Sequence, residues 1–234
     1  MPPKKSKRKL SPARIIGILL IIAGLGLLGY VPYTYLRGVI EQRSLRGEFE
    51  QESAASLALN QQVLDKLQGA ADSEKMRQLA EAYKSRLSSG QIIGQLEIPK
   101  MGLNAIVVEG SADGDLHKGP GHMEETPLPG MGGNFAVAGD RVLYGAPFLK
   151  LNDLVAGDQI IMRTQYGQFN YTVTGKHITE PEDTSVVQPV GFEAITLITC
   201  DPIWSTSHRL IVQAKMTGAK VIDKPAAAGA ASGG

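Results

Sequence analysis

The most constraining feature is the run from Ile15 to Leu36, twenty-two residues without a charge. About 20 apolar residues span a bilayer core as a helix, and nothing in this run alternates to make it amphipathic. Lys4, Lys5, Lys7, Arg8, Lys9 and Arg14 precede it, and no acid occurs before Glu41. Such a cationic flank predicts a cytoplasmic N-terminus, and Tyr30, Tyr33 and Tyr35 suit the far interface. The run exceeds the core of a cleaved signal peptide, and no small-x-small cleavage site follows before Arg37, so an uncleaved signal anchor is expected. A formal charge of +1 conceals this asymmetry: beyond residue 14 the chain carries 18 basic and 23 acidic residues. The basic segment therefore points to membrane orientation, and nucleic acid is not an expected partner.

Five segments follow. Residues 1–14 form a basic cytoplasmic tail and 15–36 the transmembrane anchor. Residues 37–90 are rich in Glu, Gln, Lys, Ala and Leu. Their apolar positions (Leu57, Leu59, Val63, Leu64 and Leu67, then Met76, Leu79, Ala80, Tyr83 and Leu87) suggest two amphipathic helices broken near Gly69–Asp72. They read as a stalk, with a regulatory segment over the site as the alternative. Residues 91–216 form the folded domain. The Ala- and Gly-rich residues 217–234 lack bulky side chains and read as a disordered tail.

Within the domain, strands are expected at 92–98, 105–108, 134–138, 159–164, 168–179 and 194–200, with another opening at Arg209. Residues 113–118 suggest one helical turn and 147–154 a helix with Pro at its start. The glycine- and proline-rich residues 119–133 read as a loop. Short strands with few helices predict an all-β domain, a closed barrel.

The chain's single cysteine, Cys200, ends the β-branched run Ala194–Cys200 and is followed by Asp201-Pro202, where a central strand cannot continue. A buried Cys is ordinarily a small hydrophobe. In an exported domain, an unpaired Cys at a strand-to-loop junction is a candidate reactive thiol. Nine residues on, Arg209 opens Leu210-Ile211-Val212, so a loop would return a permanent cation toward the sulfur.

Thr-Leu-Ile-Thr-Cys (196–200) with Arg-Leu-Ile-Val (209–212) resembles the signature of the sortases, cysteine transpeptidases of Gram-positive cell surfaces. Residues 93–100, 119–122, 134–139 and 144–148 match further segments in the family's order, and the similarity covers roughly 91–216. The Tyr-Gly-Ala-Pro-Phe segment (144–148) and the anchor most resemble class E or class D. The resemblance implies an eight-stranded sortase barrel with short helices, without cofactor or metal. It implies cleavage of a Leu-Ala-x-Thr-Gly or Leu-Pro-x-Thr-Gly sorting motif between Thr and Gly. A Cys200 thioester would form and pass to an amine of a cell-wall precursor or pilin, anchoring a surface protein outside the membrane. Arg209 would be the oxyanion donor, and Tyr144, Thr199 and His122 would face substrate.

One position departs from the pattern. Where the family reads Ala-Gly-His-Arg, this chain reads Ala138-Gly139-Asp140-Arg141. A carboxylate in place of the general-acid imidazole repels a neighbouring thiolate and donates a proton poorly at neutral pH. Impaired turnover is expected, since a positioned general acid contributes about 10²–10⁴ in rate. The alternative is an inactive sortase-fold protein, natural or engineered, that binds sorting motifs or partners. His122 and His208 are candidate substitutes for the lost imidazole. His117 and His177 are expected to be exposed. The acidic loop Glu180–Asp183 resembles a calcium loop of some class A members, but three solvated carboxylates are the simpler reading.

Overall fold

A computed structural model describes residues 12–222. Residues 1–11 of the basic tail and 223–234 of the C-terminal tail lie outside the described residues. A single helix, α1 (Pro12–Lys66), contains both the uncharged run and the first part of the expected stalk. It is long and apolar enough at its start to cross a membrane. After a break at Gly69, where φ is 84°, α2 (Asp72–Lys84) turns back over the domain.

The domain is a closed barrel of eight strands: β1 (Ile92–Ile98), β2 (Leu103–Glu109), β3 (Gly121–His122), β4 (Asn134–Ala138), β5 (Gln159–Thr164), β6 (Gly167–Thr179), β7 (Ala194–Asp201) and β8 (His208–Val221). Their order is β1-β2-β3-β4-β7-β8-β6-β5. A helical turn, α3 (Asp113–Leu116), lies on the crossover from β2 to the parallel β3. Alternate residues of the long strands point inward. Leu96, Ile98, Phe135, Val137, Ile160, Met162, Phe169, Tyr171, Ile195, Leu197 and Val212 fill one core, wholly or almost wholly buried. Full burial of each such side chain contributes about 1.5–3 kcal/mol.

Three local expectations are corrected. The segment 119–133 is not all loop, because Gly121-His122 pairs with both β2 and β4 and closes the barrel. Residues 147–154 form turns and a short 3₁₀ segment, Leu151–Asp153, rather than a helix. β8 runs on to Val221, where it pairs with Gly167, so residues 217–221 belong to the barrel rather than to a tail.

The stalk is also not free-standing. Thr34, Gly38, Leu45, Phe49 and Asn60 are buried along one face of α1, at intervals made of threes and fours. Leu45 and Phe49 pack on Ile92, Ile106 and Val108. Because β3 is only two residues long, the edge of β2 at Ile106 has no strand partner. The Gln42 amide supplies one: its Oε1 accepts from Ile106 N–H at 2.7 Å and its Nε2 donates to Ile106 C=O at 3.0 Å. Arg46 donates to Asn104 C=O beside it. Asn60 reaches the β5–β6 turn, donating to Gln165 C=O at 2.9 Å. Helix α1 therefore passes the β2 edge and ends beside the β5–β6 hairpin.

Candidate active site

Strands β7 and β8 are antiparallel, with Cys200 directly opposite Arg209. Directly paired residues project to the same face with Cβ atoms about 4.5–5.5 Å apart, so the pairing alone brings a thiol and a guanidinium together. Both side chains are partly exposed. They share an open cleft of about 450 Å³ with Ala138 and Gly139 of the β4 end, Thr206 of the β7–β8 loop and Pro181, Val186 and Val187 of the β6–β7 connection. Arg209 Nη1 donates to the carbonyls of Thr206 (3.0 Å) and His208 (3.1 Å), which holds the guanidinium on the loop that follows the thiol. A larger cleft of about 910 Å³ lies at the other end of the barrel, between α1, α2 and β8. Cys200 is not among its lining residues, so size does not mark the site here.

The segment after β4 carries the residues that the sequence placed beside the thiol. Asp140 Oδ1 accepts from the backbone N–H groups of Val142 and Leu143, each at 2.9 Å. Its carboxylate thus caps the following turn, as short acidic side chains commonly do. Arg141, which the sequence reading did not single out, is 6% exposed. Its Nη1 donates to Cys200 C=O at 3.0 Å and to Asp201 Oδ1 at 2.5 Å, and its Nη2 donates to Asn152 Oδ1 at 2.9 Å. This guanidinium joins three segments and holds the backbone of the thiol-bearing residue. Only an arginine fork reaches all three acceptors. The visible signal was its place directly after Asp140; its role required the fold.

Tyr144 does not line the Cys200 cleft. It lies in a separate groove between α1 and the barrel, with Gly38, Gln42, Pro120 and Pro147. Its ring stacks on His117 at 3.9 Å between centroids, and that histidine is exposed, as expected. Burial, followed by the neighbouring Tyr30 hydroxyl, raises the Tyr144 phenol above its ordinary range. A substrate role for Tyr144 therefore has no support from this arrangement.

The His122 expectation is also corrected. Its ring is fully buried, with Nδ1 2.7 Å from Glu109 Oε2 and Nε2 2.9 Å from Thr126 Oγ1, and it packs on Phe135. Both ring nitrogens are occupied, so His122 serves the wall of the barrel and cannot touch substrate here. Thr199 borders the cleft, but its hydroxyl donates to Gly139 C=O at 2.7 Å and its side chain is buried. It ties β7 to the end of β4. His208, opposite Asp201, places Nε2 3.6 Å from Glu180 and Nδ1 3.0 Å from Ser207 Oγ. As expected for alternating strand positions, it does not share the face of Arg209.

The acidic loop is divided among local contacts. Asp183 Oδ1 accepts from Ser185 N–H and Oγ, and Oδ2 accepts from Thr179 Oγ1. Those hydrogen bonds, Ser185's first, hold its carboxyl below the ordinary value. Among the described residues, no three His, Cys, Asp or Glu side chains come together as a metal-holding group.

Comparison with known proteins agrees with this geometry. Residues 96–217 match the sortase domain family. Sortase A of Bacillus anthracis is 32% identical over 152 residues, covering 64% of this chain and 72% of the relative. Sortase D of Bacillus subtilis is 27% identical over 212 residues, 86% of this chain and 98% of the relative. The structure of sortase E1 from Streptomyces coelicolor, with a tripeptide in its active site, is 34% identical with a TM-score of 0.55. It covers 58% of this chain and 93% of that one. The match spans the barrel, includes the β7–β8 pair and coincides with the eight-stranded closure, so this chain belongs to the sortase family of cysteine transpeptidases.

Proposed function

We propose that the chain is a membrane-anchored sortase, nearest to class E, that joins surface proteins bearing a C-terminal sorting motif to a cell-wall or pilin amine. The observation that carries this reading is the Cys200–Arg209 pair at the mouth of the cleft. Cys200 Sγ attacks the Thr carbonyl carbon of the Thr–Gly bond. The developing oxyanion lies toward Arg209, whose charge stabilises it. The C–N bond then breaks, the amine leaves with a proton and a thioester remains on Cys200. An incoming amine attacks that thioester, forms the new amide and returns the thiol. Arg141 holds the Cys200 backbone throughout. The anchor reading is supported by the uncharged start of α1, and the flanking cations favour a cytoplasmic N-terminus with the barrel outside.

The weak step is protonation of the leaving amine. Asp140 stands where the family has histidine, and its carboxylate is engaged by two backbone amides. That engagement favours a second reading, in which the chain holds a sorting motif but acylates slowly or not at all. The test uses the full chain and its Asp140→His variant with Leu-Ala-x-Thr-Gly and Leu-Pro-x-Thr-Gly peptides and a free amine. Mass spectrometry follows the thioester, and product release follows turnover. The histidine variant is expected to turn over about 10²–10⁴ faster. Equal rates would remove Asp140 from the mechanism. Peptide binding without a thioester in either form would leave the binding reading in place of the enzyme.

A further inference from the structure

We infer that the barrel stands with its Cys200 end against the bilayer, and that the β7–β8 loop, led by Trp204, rests in the lipid interface. The inference relies on α1 being the membrane anchor, and it adds which end of the domain faces the lipid.

The polarity of α1 supplies the first argument. Its uncharged run ends at Leu36, and contact with the barrel begins in the last turns of that run, where Thr34 is buried and Tyr30 lies beside Tyr144. A Cβ on Gly38 would lie 2.2 Å from the backbone carbon of Tyr144, so helix and loop touch there. Gly38 is two residues beyond the run, a rise of about 3 Å. Tyr144 belongs to the β4–β5 connection, which leaves the barrel at the end where β7 delivers Cys200, because β4 and β7 are parallel. Asn60, twenty-two residues and about 33 Å further along the helix, contacts Gln165 of the β5–β6 turn at the opposite end. The helix therefore leaves the membrane beside the Cys200 end and climbs away from it.

The second argument is independent of the helix. Outside α1, the exposed large apolar side chains among the described residues are Leu149, Val155, Ile178, Ile203 and Trp204. Leu149 and Val155 lie on the β4–β5 connection, Ile178 at the end of β6, and Ile203 and Trp204 on the β7–β8 loop, all at that same end. Trp204 is 69% exposed, and its backbone holds the left-handed conformation (φ 68°) that non-glycine residues rarely adopt. An exposed Trp set among apolar neighbours suits the headgroup boundary, where the indole finds both hydrocarbon and hydrogen-bonding partners. Lys100 and Lys150 share this end with Asp153 and Glu182. With both signs present, apolar insertion rather than net charge holds the contact.

Trp204 is the chain's single tryptophan, so its emission reads this loop alone. The full chain is reconstituted in phosphatidylcholine–phosphatidylglycerol vesicles, with or without lipids brominated near the top of the acyl chains. The vesicles are then floated on a density gradient. The expected result is a floating protein whose Trp204 emission shifts to the blue and loses most of its intensity in the brominated vesicles, at low and high salt alike. A Trp204→Phe/Lys220→Trp chain, with its reporter at the far end of the barrel, keeps its intensity. A floating protein whose Trp204 is not quenched overturns the inference while leaving the anchor intact. Equal quenching of the two reporters also overturns it, since the barrel would then lie on its side. Failure to float overturns the anchor and the inference together. If a soluble sorting-motif peptide moves the Trp204 emission while bromolipid does not, the loop belongs to substrate and the membrane contact is refuted.

Discussion

The two ends of the barrel are built by opposite means. At the end away from Cys200, α2 lies over the barrel mouth with Met76, Leu79 and Ala80 buried. A Cβ on Gly130, which has φ 89°, would meet Met76 at 2.6 Å, so only glycine admits this approach. Tyr166 is buried there, donates to Pro129 C=O at 2.8 Å and packs on Tyr83 and Phe169. Among the described residues, no helix lies over the Cys200 end. Its loops are held by side-chain-to-backbone links from Arg141, Asp140 and Thr199 together with the buried Phe148, Leu151 and Leu154, while Leu149, Val155, Ile203 and Trp204 face outward. The contrast is between a covered end and an open one: a packed helix closes the first, while directional polar links hold the loops of the second around a thiol.

Substitutions at four residues test that contrast, the largest expected effect first. Cys200→Ala should abolish thioester formation and peptide cleavage while moving unfolding free energy by no more than about 0.5 kcal/mol, since the side chain is partly exposed. A large loss of stability would show that the open end also carries the fold.

Leu79→Ala removes a side chain that is 2% exposed from beneath α2. It should cost about 3 kcal/mol in denaturant unfolding and leave turnover per folded molecule unchanged. A parallel fall in turnover would mean that the two ends communicate.

Arg141→Met sharpens the comparison, because here one residue serves both purposes. Loss of the fork leaves Asp201 and the Cys200 carbonyl unpaired, a cost of about 2 kcal/mol. Peptide turnover should fall with it. Arg141→Lys should not restore both acceptors, because a lysine lacks the planar fork. Full rescue by lysine would assign Arg141 a simple charge role.

The smallest effect concerns Glu193, at the far end, whose Oε1 accepts from Gly130 N–H at 2.6 Å. Burial raises its carboxyl above the ordinary value of 4.5, although the Gly130 and Gly132 amides oppose that shift. With the folded value above the unfolded one, its contribution is fully present below about pH 4.5 and is lost as pH rises through the folded value. Glu193→Gln should therefore flatten the stability profile between pH 4 and pH 7 by less than about 1 kcal/mol, as the group is only partly buried. An unchanged profile would mean that the carboxylate is fully solvated.

Much of this protein was legible in the residues. The uncharged run, β1 and β4 at their observed bounds, and the break at Gly69 follow from charge, alternation and turn chemistry. These signals act over a few neighbours, which is why one sequence carries them. The Thr-Leu-Ile-Thr-Cys strand and its arginine partner were visible for the same reason.

Tertiary structure alone decided the rest. The docking face of α1 escaped pattern reading because only Leu45 and Phe49 of its middle turns dock by apolar packing, while Thr34, Gly38, Gln42, Ser56 and Asn60 dock by close approach and hydrogen bonds. β3 is too short to show a period, and it exists because β2 and β4 offer it partners. Tyr144 and His122 sit in motif-like segments, yet one faces α1 and the other the barrel wall, because motif spacing does not determine which way a loop side chain turns. Arg141 became a positioning residue only when folding brought Cys200, Asp201 and Asn152, distant in the chain, within reach of one guanidinium.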